Sequence, residues 1–304
     1  MIGPSPAQTW SMSERVLRTA ALLSRRGFAL GPDRLGSLCL GGAVSEADVR
    51  WAVAATPDLT LAHDLVVNRA DAMRAGAIRS RSAAHSSDAP RYLQMTAHFV
   101  RRLVVIAPFI RSVSIAGSLA SGGFRDSDDV DLNLIVDDGH RHLAYVAVNL
   151  LGLVHALRHR SKPVDDLTRR PLAPRLMTAN LILERSQCHP LARQDEDMAF
   201  ELLTSQPVFG LDVFNEVVDA NPALLDHFPQ LEYKSQPLVI DSASRPLPLW
   251  LFPAALDGAA RRIGSAAWRY MQWTRRSRPE ALARVSYVRA TMRPYTLFDE
   301  PHAT

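Results

Sequence analysis

The sequence predicts an α/β (α+β) fold, in which a small mixed sheet lies between an N-terminal helical module and a helical C-terminal cap. The middle of the 304-residue chain alternates short apolar runs of strand length with longer amphipathic segments. Both flanks instead show apolar residues at helical spacing, separated from the middle by polar or proline-rich stretches. We therefore expect three domains, over residues 1–85, 86–235 and 236–304.

The composition is that of an ordinary globular protein, with 47% hydrophobic and 22% charged residues. The formal net charge of +4 is small for this length, and Lys162 and Lys234 are the only lysines. Abundant arginine together with Ala, Leu and Pro is typical of a GC-rich bacterial genome. The small excess of basic residues is therefore weak evidence for a surface that binds nucleic acid.

Several features predict a cytoplasmic protein that does not associate with membranes. Cys39 and Cys188 are far apart and have no metal-binding spacing, which fits a reducing compartment. The N-terminus lacks the pattern of a signal peptide. The most apolar run, residues 143–157, is too short and too polar to span a bilayer.

The N-terminal region predicts helices over residues 13–26 and 45–55, followed by one strand over 59–67. This order resembles a winged-helix module, which either binds DNA or serves for docking or oligomerisation. The second helix carries Arg50 as its one cation and has two acidic residues, so docking is favoured over DNA binding. The serine-rich stretch 79–89 then predicts a linker.

The remaining elements follow from apolar runs and their boundaries. A helix is expected to begin at Pro90 and to end near residue 106. Strands are predicted over 111–116, 129–136 and 176–184, and helices from Ser118 and over 140–158, 195–219, 254–274 and 279–291.

The most informative stretch runs from Val113 to Val136 and reads VSIAGSLASGGFRDSDDVDLNLIV. Asp129 and Asp131 lie at the start of its second apolar run. Side chains alternate along a strand, so these two carboxylates point the same way, roughly 6–7 Å apart. Like charges side by side repel, so such a pair is expected where a bound cation offsets the repulsion. Mg²⁺, which prefers oxygen ligands, is a suitable cation.

The first half of the stretch predicts a phosphate-binding turn. The first strand leads into Gly117, where glycine permits close approach of the backbone to a ligand. Ser118 is expected at the N-cap of the following helix, whose free N–H groups favour an anion. Ser121 and Arg125 are further candidates for phosphate contact, and each is equally compatible with a plain surface position.

Gly117-Ser118, a gap of ten residues and Asp129-Val130-Asp131 resemble the signature of the polymerase-β-like nucleotidyltransferase superfamily. Residues 90–235 are similar more widely to a branch of predicted bacterial nucleotidyltransferases of unknown substrate. The resemblance implies a nucleotidyltransferase core that binds Mg²⁺, in a two-metal site, and ATP or another NTP. It implies transfer of an NMP to an acceptor, with Asp129 and Asp131 as catalytic metal ligands.

The third carboxylate that this superfamily carries on a later strand is ambiguous here. Asn180 stands at the matching position, and it can ligate a metal through its carbonyl oxygen but cannot act as a base. Glu184 is the rival, expected on the same face because it lies an even number of residues away. The alternative function is therefore a non-catalytic regulatory protein that binds a nucleotide or DNA.

The acceptor is not identified by the sequence. A hydroxyl, carboxyl or phosphate group would serve, on a metabolite, a peptide, a protein or a tRNA end. No long basic stripe is evident, so a small molecule is favoured over nucleic acid as the partner.

Overall fold

The computed structural model describes residues 10–124, 128–158, 176–234, 238, 240 and 245–298. The α-helices are Met12–Arg25 (α1), Pro32–Ser37 (α2), Glu46–Ala55 (α3), Ala75–Ile106 (α4), Gly117–Ser121 (α5), Arg141–Arg158 (α6), Glu196–Thr204 (α7), Leu211–Asp219 (α8), Ala223–His227 (α9), Asp257–Arg275 (α10) and Pro279–Met292 (α11). The strands are Leu59–Ala62 (β1), Leu65–Asn68 (β2), Ile110–Ala116 (β3), Val130–Val136 (β4), Met177–Glu184 (β5) and Gln206–Phe209 (β6).

The central sheet is mixed and has the strand order β5-β4-β3-β6. Strand β4 pairs antiparallel with β3 and parallel with β5, while β6 pairs antiparallel with β3. The predicted α+β architecture and its three central strands are thus confirmed. The predicted helix over 195–219 is wrong as a single element, because β6 interrupts it. Pro207 lies in β6, an edge strand, where a missing ladder donor is tolerated.

The two faces of the sheet belong to two hydrophobic clusters. On one face Leu132 and Leu134 pack in a core with residues of α4 and α6. On the other, Ile135 and Leu181 share a core with α7–α9 and with buried side chains of α1–α3 such as Leu22. The N-terminal helices therefore pack in the same core as the strand β5 that carries Asn180.

The N-terminal region differs from its prediction in two places. The expected strand over 59–67 is a hairpin of β1 and β2, because His63 and Asp64 take up left-handed backbone conformations at its turn. The predicted linker over 79–89 is wrong, since α4 runs through it with Pro90 inside the helix. Hydrogen bonds of Arg81 and His85 with the loop after α5 attach this polar part of α4 to the rest of the protein.

At the C-terminal end α10 packs against α6, with Gly264 at the contact. A Cβ on Gly264 would lie 2.7 Å from Phe298 Cζ and 3.1 Å from Tyr145 Cδ1. Asp257 accepts hydrogen bonds from the backbone N–H groups of His142 and Leu143, which ties the start of α10 to the start of α6. Within the described ranges, no helix is both long and apolar enough to cross a membrane.

Candidate functional site

The glycine turn and the aspartates of the stretch from Val113 to Val136 are in direct contact. Strand β3 ends at Ala116, which pairs with Asp131 on β4, and the next residue, Gly117, has a φ of +61°. A Cβ built on Gly117 would lie 2.2 Å from Asp131 Oδ2, far inside van der Waals contact. Only glycine fits this position, for both its backbone conformation and its space.

The helix after Gly117 begins earlier than the sequence predicts. Its N-cap is Ala116 and its first residue is Gly117, so the prediction of Ser118 as the N-cap is wrong. The observed N-cap thus lies two residues before the predicted one, and Gly117 at the start of α5 has a left-handed backbone conformation. The Ser121 hydroxyl donates a hydrogen bond to the carbonyl of Gly117 at 2.7 Å, so its hydrogen is used within α5.

Asp131 is held from two sides. Its partner across the parallel pair is Thr178 on β5, whose Oγ1 donates to Asp131 Oδ1 at 2.9 Å. The other carboxylate oxygen faces the backbone of Gly117. Asp129 directly precedes β4, and both aspartates are partly exposed. The two carboxylates are thus open to a ligand, and one of them is fixed in orientation.

A bulge in β5 decides which side chains join the aspartates. Leu132 pairs with Ala179 but Asn133 pairs with Leu181, so Asn180 is the extra residue. Beyond the bulge the alternation of β5 is reversed. The prediction that Glu184 shares the face of Asn180 is therefore wrong.

Glu184 pairs with Val136, whose side chain lies in the core formed with α4 and α6, on the face of the sheet away from Asp131. The Glu184 Oε1 atom accepts a hydrogen bond from the backbone N–H of Gly139 at 2.9 Å. The structure thus does not bring Glu184 to the aspartates. Asn180, in contrast, remains on their face.

A carboxylate that the sequence analysis missed lies beside Asn180. Glu201 on α7 accepts hydrogen bonds at Oε1 from Asn133 Nδ2 at 3.0 Å and from Asn180 Nδ2 at 3.1 Å. Asn180 Nδ2 also donates to Asn133 Oδ1 at 3.1 Å. The available signal was a single glutamate within the apolar segment AFELL, whose phenylalanine and leucines are buried.

Glu201 determines the orientation of the Asn180 amide. An ionised carboxylate only accepts hydrogen bonds, so the NH₂ group of Asn180 has to face it. The carbonyl oxygen of Asn180 is then the atom that remains for a metal or substrate. This orientation is compatible with Asn180 as a metal ligand through its carbonyl oxygen.

A partly buried lysine lies near Glu201. Lys234 Nζ donates to the carbonyl of Leu202 at 2.8 Å and also to that of Leu203, near the end of α7. Burial lowers the pKa of Lys234 to about 7, and the negative charge of Glu201 opposes this shift. The charge state of Lys234 is therefore coupled to the polar cluster of Asn133, Asn180 and Glu201.

The loop after α5 is held by α4. Arg81 Nη2 donates to the carbonyl of Gly123 at 3.0 Å and lies 3.6 Å from Asp128 Oδ2. The backbone N–H of Phe124 donates to His85 Nδ1 at 3.2 Å, which requires a neutral ring at that atom. Burial, and secondly the charge of Arg34, lower the pKa of His85 and so favour that neutral form. Arg125, the remaining candidate for phosphate contact, lies outside the described residues.

The oxygen donors near the start of β4 and β5 suit a hard cation. Asp129, Asp131 and the amide oxygen of Asn180 are oxygen ligands of the kind that Mg²⁺ prefers. Among the residues that the structure describes, no group of three or more His, Cys, Asp or Glu side chains could hold a metal ion. A metal here would therefore draw on two carboxylates, with the rest of its ligands from amide oxygen, water or substrate.

No protein-family model matches this chain, and no curated protein or solved structure matches it significantly.

Proposed function

We propose that the protein is an Mg²⁺-dependent nucleotidyltransferase that moves an NMP from an NTP to an acceptor. The observation that carries this proposal is the contact between Gly117 and Asp131. A turn suited to phosphate and a carboxylate suited to a metal lie against each other, and Mg²⁺ sites commonly combine one or two carboxylates with substrate phosphates.

The residues have distinct roles in this proposal. Asp129 and Asp131 hold Mg²⁺, with Asn180 contributing its amide oxygen, and Gly117 and Ser118 lie against the β- and γ-phosphates. When bound, Mg²⁺ neutralises and orients the triphosphate. Thr178 and Glu201 hold Asp131 and Asn180 in position.

The chemistry is an attack of the acceptor on the α-phosphorus, with formation of a new P–O bond and release of pyrophosphate. A hydroxyl acceptor loses its proton in this step, and Asn180 cannot accept one. A carboxylate or phosphate acceptor is already ionised near pH 7 and needs no base. The replacement of a carboxylate by Asn180 therefore favours an acidic small molecule as the acceptor.

The same asparagine supports a second candidate, a protein that binds a nucleotide without turning it over. Such a regulatory protein would retain Mg²⁺-dependent NTP binding and release no pyrophosphate. If it acted on DNA, it would bind duplex with a steep dependence on salt concentration.

Incubation with each of the four α-labelled NTPs, Mg²⁺ and a small-molecule extract tests the proposal. The expected result is transfer of label to a new species, with stoichiometric pyrophosphate, and no transfer by Asp131→Asn. Labelled NTP that stays bound but intact favours the regulatory protein. Absence of both binding and transfer contradicts the nucleotide site.

A further inference from the structure

The N-terminal module covers the loop that follows Gly117. Gly123 is buried under Phe28, and a Cβ added to it would lie 2.0 Å from Phe28 Cε1. One residue earlier, Gly122 has a φ of +95°, and a Cβ there would lie 3.4 Å from Arg34 Nη1. The side chains of Phe28 and Arg34, from the segment around α2, therefore lie next to two successive glycines of this loop.

Arg34 brings positive charge to this loop. It is an exposed residue of α2, and its charge contributes to the lowered pKa of His85, the residue that accepts from Phe124 N–H. Arg81 is also cationic, but it binds the Gly123 carbonyl and lies beside Asp128. Arg34 is thus an exposed cation whose guanidinium lies beside the Gly122 position of the loop.

We propose that Arg34 binds the terminal phosphates of the triphosphate, which makes the N-terminal module one wall of the nucleotide site. This inference rests on the proposed function. Gly117 and Gly122 are five residues apart in sequence, and at about 1.5 Å per helical residue their separation along α5 is about 7–8 Å. A triphosphate that contacts Gly117 at one end can extend toward Arg34 at the other.

The chemistry of the residue fits the role. Guanidinium offers a fixed fork of N–H donors that matches phosphate oxygens, and the glycines leave the loop backbone open beside it. Arg50 on α3 provides the contrast within the same module, because it pairs with Glu46 on its own helix at 2.7 Å. In this proposal the N-terminal module binds substrate through α2, and it does not require that α3 bind DNA.

The test compares Arg34→Ala, Arg34→Lys and the control Arg50→Ala by titration calorimetry with Mg²⁺. The probes are each of the four NTPs, the matching NMPs, and inorganic triphosphate. Arg34→Ala is expected to weaken NTP and inorganic triphosphate binding by about tenfold or more, the effect of losing one hydrogen bond to a charged group. NMP affinity should change by less than about twofold, Arg34→Lys should recover part of the loss, and Arg50→Ala should match wild type.

The outcomes separate this inference from the proposed function. NTP binding that is unchanged in Arg34→Ala overturns the role of Arg34 and leaves the nucleotide site intact. Inorganic triphosphate bound through Arg34, with no NTP bound by wild type, supports the anion contact and contradicts nucleotidyl transfer. Equal losses for NMP and NTP assign Arg34 to general folding of the loop and overturn the phosphate contact.

Discussion

Gly117 and Asp131 are in contact: a Cβ added to Gly117 would lie 2.2 Å from Asp131 Oδ2, at a backbone φ of +61°. The two residues are 14 positions apart in sequence and meet because β3 and β4 pair antiparallel, with Ala116 opposite Asp131. The glycine turn and the Asp131 carboxylate thus lie directly beside each other in the fold.

Gly117→Ala is expected to damage both stability and ligand binding. A side chain at this φ costs about 1–2 kcal/mol, and the methyl group has to displace the Asp131 carboxylate. We expect loss of Mg²⁺-dependent NTP binding in calorimetry and a lower midpoint of thermal unfolding. Gly258→Ala is the control, because nothing lies within 4 Å of its Cβ position, and a stable protein with normal binding is expected. Normal NTP binding by Gly117→Ala would falsify the contact as a functional one.

Thr178→Val removes the hydroxyl that donates to Asp131 Oδ1 at 2.9 Å while keeping the shape of the side chain. Because partners that orient a metal ligand typically contribute about tenfold or more to metal affinity, the Mg²⁺ concentration for half-maximal NTP binding should rise by about that factor. Thr178→Ser keeps the donor and should restore it. An unchanged Mg²⁺ requirement in Thr178→Val would show that Asp131 needs no such support.

Glu201→Gln replaces a pure acceptor by an amide that can also donate. The Asn180 amide then loses its fixed orientation, so the Mg²⁺ requirement should rise and turnover should fall, while the far-UV circular dichroism stays native. Glu232→Gln, at an exposed glutamate, is the control and should behave as wild type. If Glu201→Gln and Glu232→Gln titrate identically with Mg²⁺, Glu201 does not position the site.

Lys234 makes stability depend on pH. Burial lowers its pKa to about 7 from 10.5, so above pH 7 the unfolded chain binds more protons at this residue than the folded one. The free energy of unfolding should therefore gain from this lysine as pH rises above 7, by at most about 1.4 kcal/mol per pH unit.

The measurement for Lys234 is urea unfolding between pH 6 and 8.5, compared with Lys234→Met. The difference in stability between the two proteins should shift in favour of wild type as the pH rises. The window stops below the range in which the pKa of Cys188, raised by burial to about 12 from 9.0, adds an opposing dependence. A difference that is constant across the window contradicts a lowered pKa for Lys234.

The sequence predicted the central strands because their apolar runs are bounded by clear signals, such as Gly117 after β3 and the aspartates before β4. The strand β5 was also predicted, but the prediction that Glu184 shares the face of Asn180 was wrong, because the bulge at Asn180 reverses the alternation of side chains. A bulge depends on pairing with a particular partner strand, and a run of apolar residues does not reveal it.

Long-range packing accounts for the other differences. The 79–89 stretch has the composition of a linker, yet Arg81 and His85 reach the loop after α5 and the stretch is helical. Glu201 is distant in sequence from Asn180, and their contact follows from how α7 packs on the sheet. Nothing in the sequence distinguishes Arg34 from the other arginines, because its closeness to Gly122 arises from the packing of α2 near the loop after α5.

The most direct test of the central claim is calorimetry of Mg²⁺-dependent NTP binding by wild type and Asp131→Asn. Asp131→Asn keeps the side-chain size beside Gly117 but removes the charge that a metal requires. We expect wild type to bind one of the four NTPs with Mg²⁺ and not with EDTA, and Asp131→Asn, though folded, to lose this binding. Equal NTP binding by the two proteins, or equal binding with and without Mg²⁺, would contradict this claim.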